Sequence, residues 1–432
     1  MSNAMTDFNE GLLAFLDASP TPFHATAEML SMLADAGFTV LDEAADWRIQ
    51  PGGRYAVVRG GSSIIAFNWP EAAPRGLRIV GAHTDSPCLK IKPRPDVVRH
   101  GCWQLGVEVY GGVLLNTWFD RDLSLAGRVT YLDDLGRLCN ALVDLREPIA
   151  TVPSLAIHLD REANDKRSIN QQDHLPLVLG QDINNPDDFR AYLLAHLKGD
   201  GVAAEQVLDF DVFAYDTQPA TITGVNGEFI RSARLDNLLS CYTGLQALMQ
   251  ADPADGLQLL VCNDHEEVGS TSVTGADGNF LESVLMRLFP DAAERAQQMA
   301  QSLMISTDNA HAIHPNYAEK HEPQHAPRIN RGPVIKFNAR QRYATAADVA
   351  AYFRWLCGEV SVPVQDFVVR TDMGCGSTIG PMTSARLGVR TLDVGVPTLG
   401  MHSIRELAGT ADALSLTTVL GALYAFRGEL PA

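Results

Sequence analysis

Histidine and acidic side chains recur where apolar runs of this 432-residue sequence end. They are His83 and Asp85 in IVGAHTDSP, Glu266 and Glu267 in LLVCNDHEEVG, Asp308 in LMISTDNAHAIHPN, His402 in LDVGVPTLGMHS, and Asp236 at a predicted helix start in RSARLDNLL. The carboxyl ends of strands form the ligand crevice of an open parallel sheet, so we expect these side chains to meet there. Because buried carboxylates are costly unless they are paired or bound to metal, the group predicts a metal site.

Two divalent cations would suit this set of donors. Two-metal hydrolases hold their cations about 3.5–4 Å apart, with a carboxylate between them and a water to activate. Asp236 stands alone on its element and is the natural bridge, whereas Asp85 is spaced to hold the His83 ring in one tautomer. Of the adjacent Glu266 and Glu267, one is expected to bind metal and the other to act as general base, and spacing alone does not decide which.

Each of these residues also has a structural interpretation when it is taken singly. Asp236 would serve as a helix N-cap, His83 as a satisfied core histidine, and Asp308 as a turn residue. The adjacent Glu266 and Glu267 would form a solvated acidic pair. Only their joint occurrence at strand ends favours the metal site over these alternatives.

The segments around these residues are strands that alternate with helices, which predicts an α/β fold with a mainly parallel sheet. The residue pattern changes from about residue 93 to 232, where runs of β-branched and aromatic residues are separated by predicted turns rich in Gly and Asp. We therefore predict a catalytic α/β domain formed by residues 5–92 and 233–432, interrupted by a β-rich domain at 93–232. The insert supplies none of the proposed metal ligands, which favours a role as a dimerisation domain or lid.

The composition of the chain argues against some classes of binding partner. The formal net charge of −18 argues against nucleic acid or an anionic membrane surface as the main partner. No apolar stretch reaches the ~18 residues of a membrane span. The seven cysteines are scattered and form no CxxC pair, and the acidic start of the chain lacks the basic residues of a signal peptide. These features predict a cytoplasmic protein.

Nine segments, in order from about residue 13 to 426, resemble the M18 metallopeptidase family, the aspartyl aminopeptidases. They are AHTDSPCLKIKP, NTWFDRDLSLAGRV, VPSLAIHLDRE, RLDNL, CNDHEEVGS, STDNAHAIHPNY, KFNARQRYAT, CGSTIGP and GMHSIRE. By this resemblance, the metal ligands are expected to be His83, Asp236 as the bridge, Glu267, Asp308 and His402. It also implies that Glu266 is the general base and that Asp85 orients His83.

An aminopeptidase with a preference for acidic residues needs a cation to receive the substrate side chain. KFNARQRY places Lys336, Arg340 and Arg342 close together in an acidic protein, although a solvated basic face is the alternative. The resemblance implies substrate contacts by Lys336 and Tyr343, and by His158 from a neighbouring subunit. His311, three residues after Asp308, is expected to contact substrate or to support a ligand.

The resemblance implies removal of unblocked N-terminal residues, preferentially Asp or Glu, from peptides. It also implies a tetrahedral dodecamer built from dimers. Zinc is the expected metal at both positions, although the same donors accept manganese or cobalt. Two alternatives remain at this point: another two-metal amidohydrolase, such as a carboxypeptidase or deacylase, and a metal-stabilised shell without catalytic activity. The second glutamate beside a predicted ligand argues for catalysis.

Overall fold

The chain separates into two units in the computed structural model, which describes residues 3–181 and 188–428. The first unit contains residues 3–85, 220–401 and 406–428, and the second contains residues 86–181, 188–219 and 402–405. The domain prediction placed the insert at 93–232, so the second unit both begins and ends earlier in the chain. Residues 182–187 and 429–432, which the domain prediction includes, lie outside the described residues.

The first unit contains helices and strands in alternation. Its helices are α1 (Asn3–Ala18), α2 (Pro22–Asp35), α6 (Leu235–Met249), α7 (Phe280–Leu288), α8 (Ala292–Ala300), α9 (Ala347–Glu359), α10 (Ile379–Leu387) and α11 (Asp412–Ala425). Its strands are β1 (Thr39–Leu41), β2 (Arg54–Arg59), β3 (Ser63–Asn68), β4 (Leu77–His83), β11 (Thr221–Thr223), β12 (Phe229–Ser232), β13 (Leu257–Asn263), β14 (Leu303–Thr307), β15 (Ala310–His311), β16 (Val334–Phe337), β17 (Gln365–Val368), β18 (Arg390–Gly395), β19 (Pro397–Leu399) and β20 (Glu406–Gly409).

Nine strands of this unit form one mixed sheet in the order β1-β2-β3-β13-β4-β14-β18-β16-β17. Strands β13, β4, β14 and β18 run parallel to their neighbours in this group, whereas β2–β3, β3–β13 and β16–β18 are antiparallel pairs. The predicted α/β fold with a mainly parallel sheet is confirmed. Strand β4 is buried along its whole length, as expected for a strand covered on both faces.

Helices cover both faces of the nine-stranded sheet. On one face Val80 and Ala82 of β4 belong to a core that also contains residues of α1, α2, α6, α9 and α11. On the other face Ile79 packs in a core with residues of α7, α8 and α10. Alternate residues of β4 thus serve opposite faces, which follows from the two-residue period of a strand.

The order of the central strands brings the predicted site residues to one edge. Strand β4 lies between β13 and β14 and is parallel to both, and its last residue, His83, pairs with Asn263 at the end of β13. The acidic segment after β13 and Asp308 after β14 therefore leave the sheet beside His83. The expectation that these strand ends share one edge is confirmed.

The boundary between the units has a simple structural cause. Strands β11 and β12 pair with each other, and β12 pairs with β20 in a five-stranded sheet of the first unit. Their alternating sequence resembles the insert, but their hydrogen bonds belong to the first unit. A strand pattern alone does not show which sheet the strand joins.

The second unit is built on a six-stranded antiparallel sheet in the order β8-β7-β10-β5-β6-β9. Its strands are β5 (Cys88–Arg99), β6 (Cys102–Tyr110), β7 (Leu123–Asp133), β8 (Leu138–Asp144), β9 (Leu177–Gln181) and β10 (Ala204–Asp216). Its helices are α3 (Ala163–Lys166), α4 (Gln171–His174) and α5 (Phe189–Gly199). The predicted β-rich character of the insert is therefore present in its sheet.

Within the described ranges, no helix combines the length and apolar character that a membrane crossing requires. The seven cysteines, all of which lie in described ranges, form no disulfide. The cytoplasmic location expected from the sequence stays a prediction.

Candidate metal centre

Three side chains of the first unit form a cluster suited to a metal ion. His83, Asp236 and Glu267 each offer one ligand atom, and these atoms all lie within 4.8 Å of one another. His83 ends β4, whereas Glu267 lies in a short 3-10 helix after β13. Three positions far apart in the sequence therefore meet at the sheet edge that the strand pattern predicted.

Asp85 holds the His83 ring in one orientation. The Nδ1 atom of His83 lies 3.1 Å from the backbone carbonyl oxygen of Asp85 and 3.3 Å from its carboxylate. Both oxygens are acceptors, so the Nδ1 proton is directed at Asp85, and the Nε2 atom faces the carboxylates of Asp236 and Asp308. The backbone and the side chain of Asp85 thus both accept from the imidazole, as the hydrogen-bond partner of a metal-bound histidine usually does.

Asp236 lies where the backbone departs from helical geometry. Asp236 and Asn237 fall within α6 but have non-helical backbone angles, so the regular helix follows them. The Asp236 N–H donates to the Glu406 carboxylate at 2.8 Å, and the Asn237 side chain donates to the Thr307 carbonyl at 2.9 Å. The buried Asp236 side chain approaches His83 Nε2 to 3.5 Å. The Asp236 carboxylate therefore faces the other members of the cluster, an orientation that a helix N-cap does not require.

Asp308 connects the cluster to a buried lysine. One carboxylate oxygen of Asp308 lies 3.7 Å from His83 Nε2, and the other accepts a hydrogen bond from Lys336 Nζ at 3.1 Å. Lys336 also donates to the Asn309 carbonyl at 3.2 Å, and its side chain is only 2% exposed. The ammonium therefore neutralises one face of Asp308 while the other face remains directed at His83.

The loop after β13 presents two glutamates from one anchored backbone. The N–H groups of Glu266 and Glu267 each donate to the Asp85 carboxylate at 3.1 Å. His265, just before them, has a left-handed backbone with φ of 64°, which turns the chain out of the strand. Asp85 thus orients His83 and also holds the loop that carries both glutamates.

The carboxylates around the cluster create a negative electrostatic potential that favours bound positive charge. Burial opposes protonation of His83, but hydrogen bonds with Asp236, Asp308 and Asp85 outweigh it and raise the pKa of His83 well above its usual value. Burial also raises the pKa of Glu266 to about 8, with His83 opposing the rise and neighbouring carboxylates adding to it. A field that attracts protons in this way also attracts metal cations.

His402 belongs to the second unit, together with residues 403–405. Its Nδ1 lies 3.0 Å from the Gly112 carbonyl oxygen. A carbonyl only accepts, so this contact places a proton on Nδ1 and leaves Nε2 as the ring atom that could bind metal. The Nδ1 contact of His402 is therefore compatible with the ligand role that the resemblance implies, and that role stays a prediction.

The predicted substrate residues occupy different environments. Tyr343 is buried, its ring centroid lies 5.0 Å from Lys336 Nζ, and burial raises its pKa so that the phenol stays protonated. His311 is exposed beside the ring of Phe367, at a centroid distance of 5.7 Å. His158 is exposed in a turn of the second unit, so it is not a core residue of a strand.

Two buried carboxylates that sequence reasoning left without a role help to shape this region. Asp393, inside β18, accepts hydrogen bonds from Ala344 N–H at 2.6 Å and from the Thr378 hydroxyl at 2.6 Å. It thereby ties the segment after Tyr343 to the start of α10. Glu406, described above, holds the backbone of Asp236. The sequence marks both residues. Asp393 is an acidic residue inside the apolar strand LDVGVP, and Glu406 is the last residue of the segment GMHSIRE.

The comparison with known families decides the class of this protein. The family described as Aminopeptidase I zinc metalloprotease (M18) matches residues 15–424. The chain belongs to the M18 family. It is therefore a zinc metalloaminopeptidase, and the family assignment favours this interpretation over a carboxypeptidase, a deacylase or a non-catalytic shell.

Relatives of this M18 chain align over nearly its whole length. A probable M18 family aminopeptidase 2 of Stutzerimonas stutzeri (strain A1501) is 58% identical over 429 residues, covering 98% of this chain and 99% of the relative. A chain in the solved structure of the Ape4 and Nbr1 complex superposes with a TM-score of 0.94 at 36% identity, covering 98% of this chain and 86% of that chain. The mApe1 dodecamer of S. cerevisiae has a TM-score of 0.84 at 26% identity, with 98% and 97% coverage.

The donors in the cluster fit the zinc of the M18 family. Histidine nitrogen and carboxylate oxygen are ordinary zinc ligands, and both kinds are present in His83, Asp236 and Glu267. The buried carboxylate of Asp236 and the half-buried one of Glu267 would repel each other at this spacing without a cation between them. The chemistry of the donors and the support of His83 by Asp85 therefore both agree with a resident metal.

Replacing Asp85 with asparagine should weaken zinc binding. An amide offers one acceptor oxygen where the carboxylate serves His83 and two backbone N–H groups, so Asp85→Asn loosens both the imidazole and the glutamate loop. Loss of such a supporting partner typically costs about 10–100-fold in metal affinity. Competition with a chromophoric chelator would measure the zinc dissociation constant.

Asp412 offers a matched control for this variant. It is buried in the same unit and accepts hydrogen bonds from the backbone N–H groups of Asn330 at 2.6 Å and Gly332 at 2.8 Å, and neither of these residues is a predicted metal ligand. Asp412→Asn should lower thermal stability while zinc affinity stays near that of the unmodified protein. Equal zinc affinity in the Asp85 and Asp412 variants would contradict the supporting role of Asp85.

Proposed function

We propose that this M18 aminopeptidase removes unblocked N-terminal Asp and Glu residues from peptides and that it uses two metal ions. The observation that carries the acidic preference is the buried Lys336 ammonium, which lies 3.1 Å from Asp308 at the metal cluster. Its hydrogen bonds to Asp308 and to Asn309 use two of the three N–H groups of an ammonium. The third N–H is available to the side-chain carboxylate of a substrate.

The two-metal proposal is supported by the donors at the sheet edge. Asp236 contacts His83 and belongs to the same cluster as Glu267. We assign it the bridging position, with His83, Glu267, Asp308 and His402 as the remaining ligands. Zinc is the expected metal at both positions, and manganese or cobalt would be accepted by the same donors.

Bound zinc would lower the pKa of a water molecule and polarise the scissile carbonyl. The chain's own residues then move the protons and hold the substrate. Glu266 accepts a proton from the attacking water and transfers it to the departing amine, while Glu267 remains a ligand. Lys336 orients the acidic side chain, and the carboxylates around the cluster receive the α-ammonium group.

Hydrolysis of four arylamides by one zinc-loaded preparation tests this function. Asp- and Glu-arylamides should be cleaved faster than Leu- and Ala-arylamides. An N-acetylated Asp-arylamide should resist cleavage, because the site is proposed to need a free α-ammonium. Faster cleavage of the Leu substrate than of both acidic substrates would reject the proposed specificity.

Replacing Lys336 with methionine should reduce the preference for acidic residues. A hydrogen bond to a charged group contributes about 1.5–3 kcal/mol, so the ratio of Asp to Leu hydrolysis should fall roughly ten- to hundred-fold. The ratio is the useful quantity, since Lys336 also neutralises Asp308 and its loss should affect the rates for both substrates.

Arg340 provides the matched control in the same basic stretch. It is exposed, whereas Lys336 is buried. Arg340→Met removes one positive charge and should leave the Asp to Leu ratio within about twofold, because an exposed charge is well screened. An equal loss in both variants would assign the preference to the general field of the stretch and not to Lys336.

We also propose that His158 completes the active site of a neighbouring subunit in a tetrahedral dodecamer built from dimers. His158 is exposed, and the same short segment also exposes Leu155, Ile157 and Leu159 at 57%, 44% and 75%. An apolar run that faces solvent in a single chain is typical of a segment that meets a partner. The S. cerevisiae mApe1 structure described above is a dodecamer, which supports an oligomer of this kind.

Mixing two inactive variants tests the contribution of His158 in trans. His158→Ala and Glu266→Gln chains should each be inactive as homo-oligomers and should recover part of the activity after subunit exchange. One mixed pairing joins an intact Glu266 with an intact His158 from its neighbour. Absence of recovery despite demonstrated exchange would show that each site is complete within one chain.

A further inference from the structure

A cavity of about 360 Å³ in the first unit has no role in the function described so far. Its apolar wall includes Phe367, Val369, Met373, Leu399 and Met401. Phe367 is buried, whereas Met373 at the rim is 45% exposed. A concave site of this size with an apolar lining is suited to a side chain of a bound molecule.

The cavity lies close to the candidate metal centre. His311 lines it and follows Asp308 by three residues, so their Cα atoms are at most about 11 Å apart. Phe367, which also lines the cavity, pairs in register with Lys336 across β16 and β17 and contacts the His311 ring. Two separate chain segments thus connect the cavity to the Asp308–Lys336 pair.

The polar groups of the cavity favour an uncharged ligand. Arg370 donates to Asp372 at 2.8 and 3.0 Å and to the Glu319 carbonyl, so its guanidinium is already engaged. Glu322 lies 2.5 Å from His325. Burial, with the nearby His314, lowers the pKa of His321 and keeps that ring neutral at neutral pH. Lys320 also lines the cavity, but it is exposed, so solvent screens its charge. The apolar wall is therefore better matched to an apolar side chain than to an acidic one.

We propose that this cavity binds the side chain of the second residue of the peptide substrate and that it favours large apolar side chains there. The proposal rests on the proposed function, in which Lys336 receives the first side chain. Lys336 does not line the cavity. An aminopeptidase binds only one residue on the amino side of the scissile bond. An adjacent apolar cavity is therefore assigned to the peptide on the carboxyl side, which departs after cleavage.

Peptides that differ only at the second residue test this assignment. The series Asp-Gly-Gly, Asp-Ala-Gly, Asp-Leu-Gly and Asp-Phe-Gly keeps the first residue constant. Burial of a Leu or Phe side chain should raise kcat/KM roughly ten- to hundred-fold over the Gly peptide. A flat series would overturn the proposal.

A size series at Gly374 locates the effect in the cavity. Gly374 lines it, and a Cβ atom built there meets no atom within 4 Å, so a side chain can extend into the space without a clash. In Gly374→Trp the kcat/KM ratio of Asp-Leu-Gly to Asp-Gly-Gly should fall to about 1, whereas Gly374→Ala should keep most of it, because only a large side chain fills the cavity. Gly358→Trp, at an exposed position of α9 that is also open, controls for the added bulk and should keep the full ratio.

The outcomes separate this inference from the proposed function. If the acidic preference at the first residue holds but the second-residue series is flat, only the cavity assignment fails. If Gly374→Trp instead lowers the preference for Asp over Leu at the first residue, the cavity receives the first side chain and the assignment is overturned. The four Asp-X-Gly peptides are measured on the unmodified enzyme, so a flat series refutes the proposal even if the Trp variant does not fold.

Discussion

Removal of bound metal abolishes peptide hydrolysis, and zinc restores it. This is the expected result because His83, Asp236 and Glu267 bring their ligand atoms within 4.8 Å of one another, and a metal ion held there would neutralise the two carboxylates. Two-metal sites stabilise the charges of hydrolysis and activate water, so loss of metal removes the whole chemical step. Dialysis against a chelator, elemental analysis and an Asp-arylamide assay measure the effect.

A control separates metal loss from unfolding. Circular dichroism of the metal-free protein should show retained secondary structure, because both hydrophobic cores of the first unit are built from apolar side chains of helices and strands. Activity should then return when zinc is added without refolding. Full activity in a preparation verified to be free of metal would refute the metal-dependent mechanism.

Glu266→Gln should lower kcat by about 10²–10⁴-fold while zinc content stays near normal, since general bases typically contribute this much. Glu267→Gln should lose zinc first and activity as a consequence. The two glutamates make a clean comparison because each donates its backbone N–H to Asp85 at the same distance, 3.1 Å. Substitution of either side chain leaves those backbone contacts in place.

Zinc content and rate must be measured on the same samples of both variants. Glu282→Gln, at a half-buried glutamate on α7 that pairs with Arg386, serves as a control and should change neither quantity. If zinc loss followed Glu266→Gln and Glu267→Gln kept its metal, the roles of the two glutamates would have to be exchanged.

The sequence predicts the part of the site that lies at strand ends. Apolar runs that end in His83 or Asp308 are recognisable because a strand buried on both faces has few polar residues. Their shared edge follows from the parallel arrangement of β13, β4 and β14. The direction of His83 toward its neighbours was likewise foreseeable, because Asp85 follows at a spacing that returns to the same side of the chain.

Other features depend on contacts between distant segments and leave no periodic signal. The non-helical backbone at Asp236 depends on Glu406, which is 170 positions away. The pairing of Lys336 with Asp308 depends on the order of strands in the sheet, and the sequence showed only a basic stretch. The same reason explains the boundary of the second unit, because the pairing of β12 with β20 decides to which unit the segment belongs.

Zinc-edge anomalous diffraction from crystals of the zinc-loaded enzyme tests the two-metal proposal most directly. The account predicts two zinc peaks about 3.5–4 Å apart, with the Asp236 carboxylate between them and His83 next to one of them. A single peak, or a pair of peaks that Asp236 does not bridge, would contradict it.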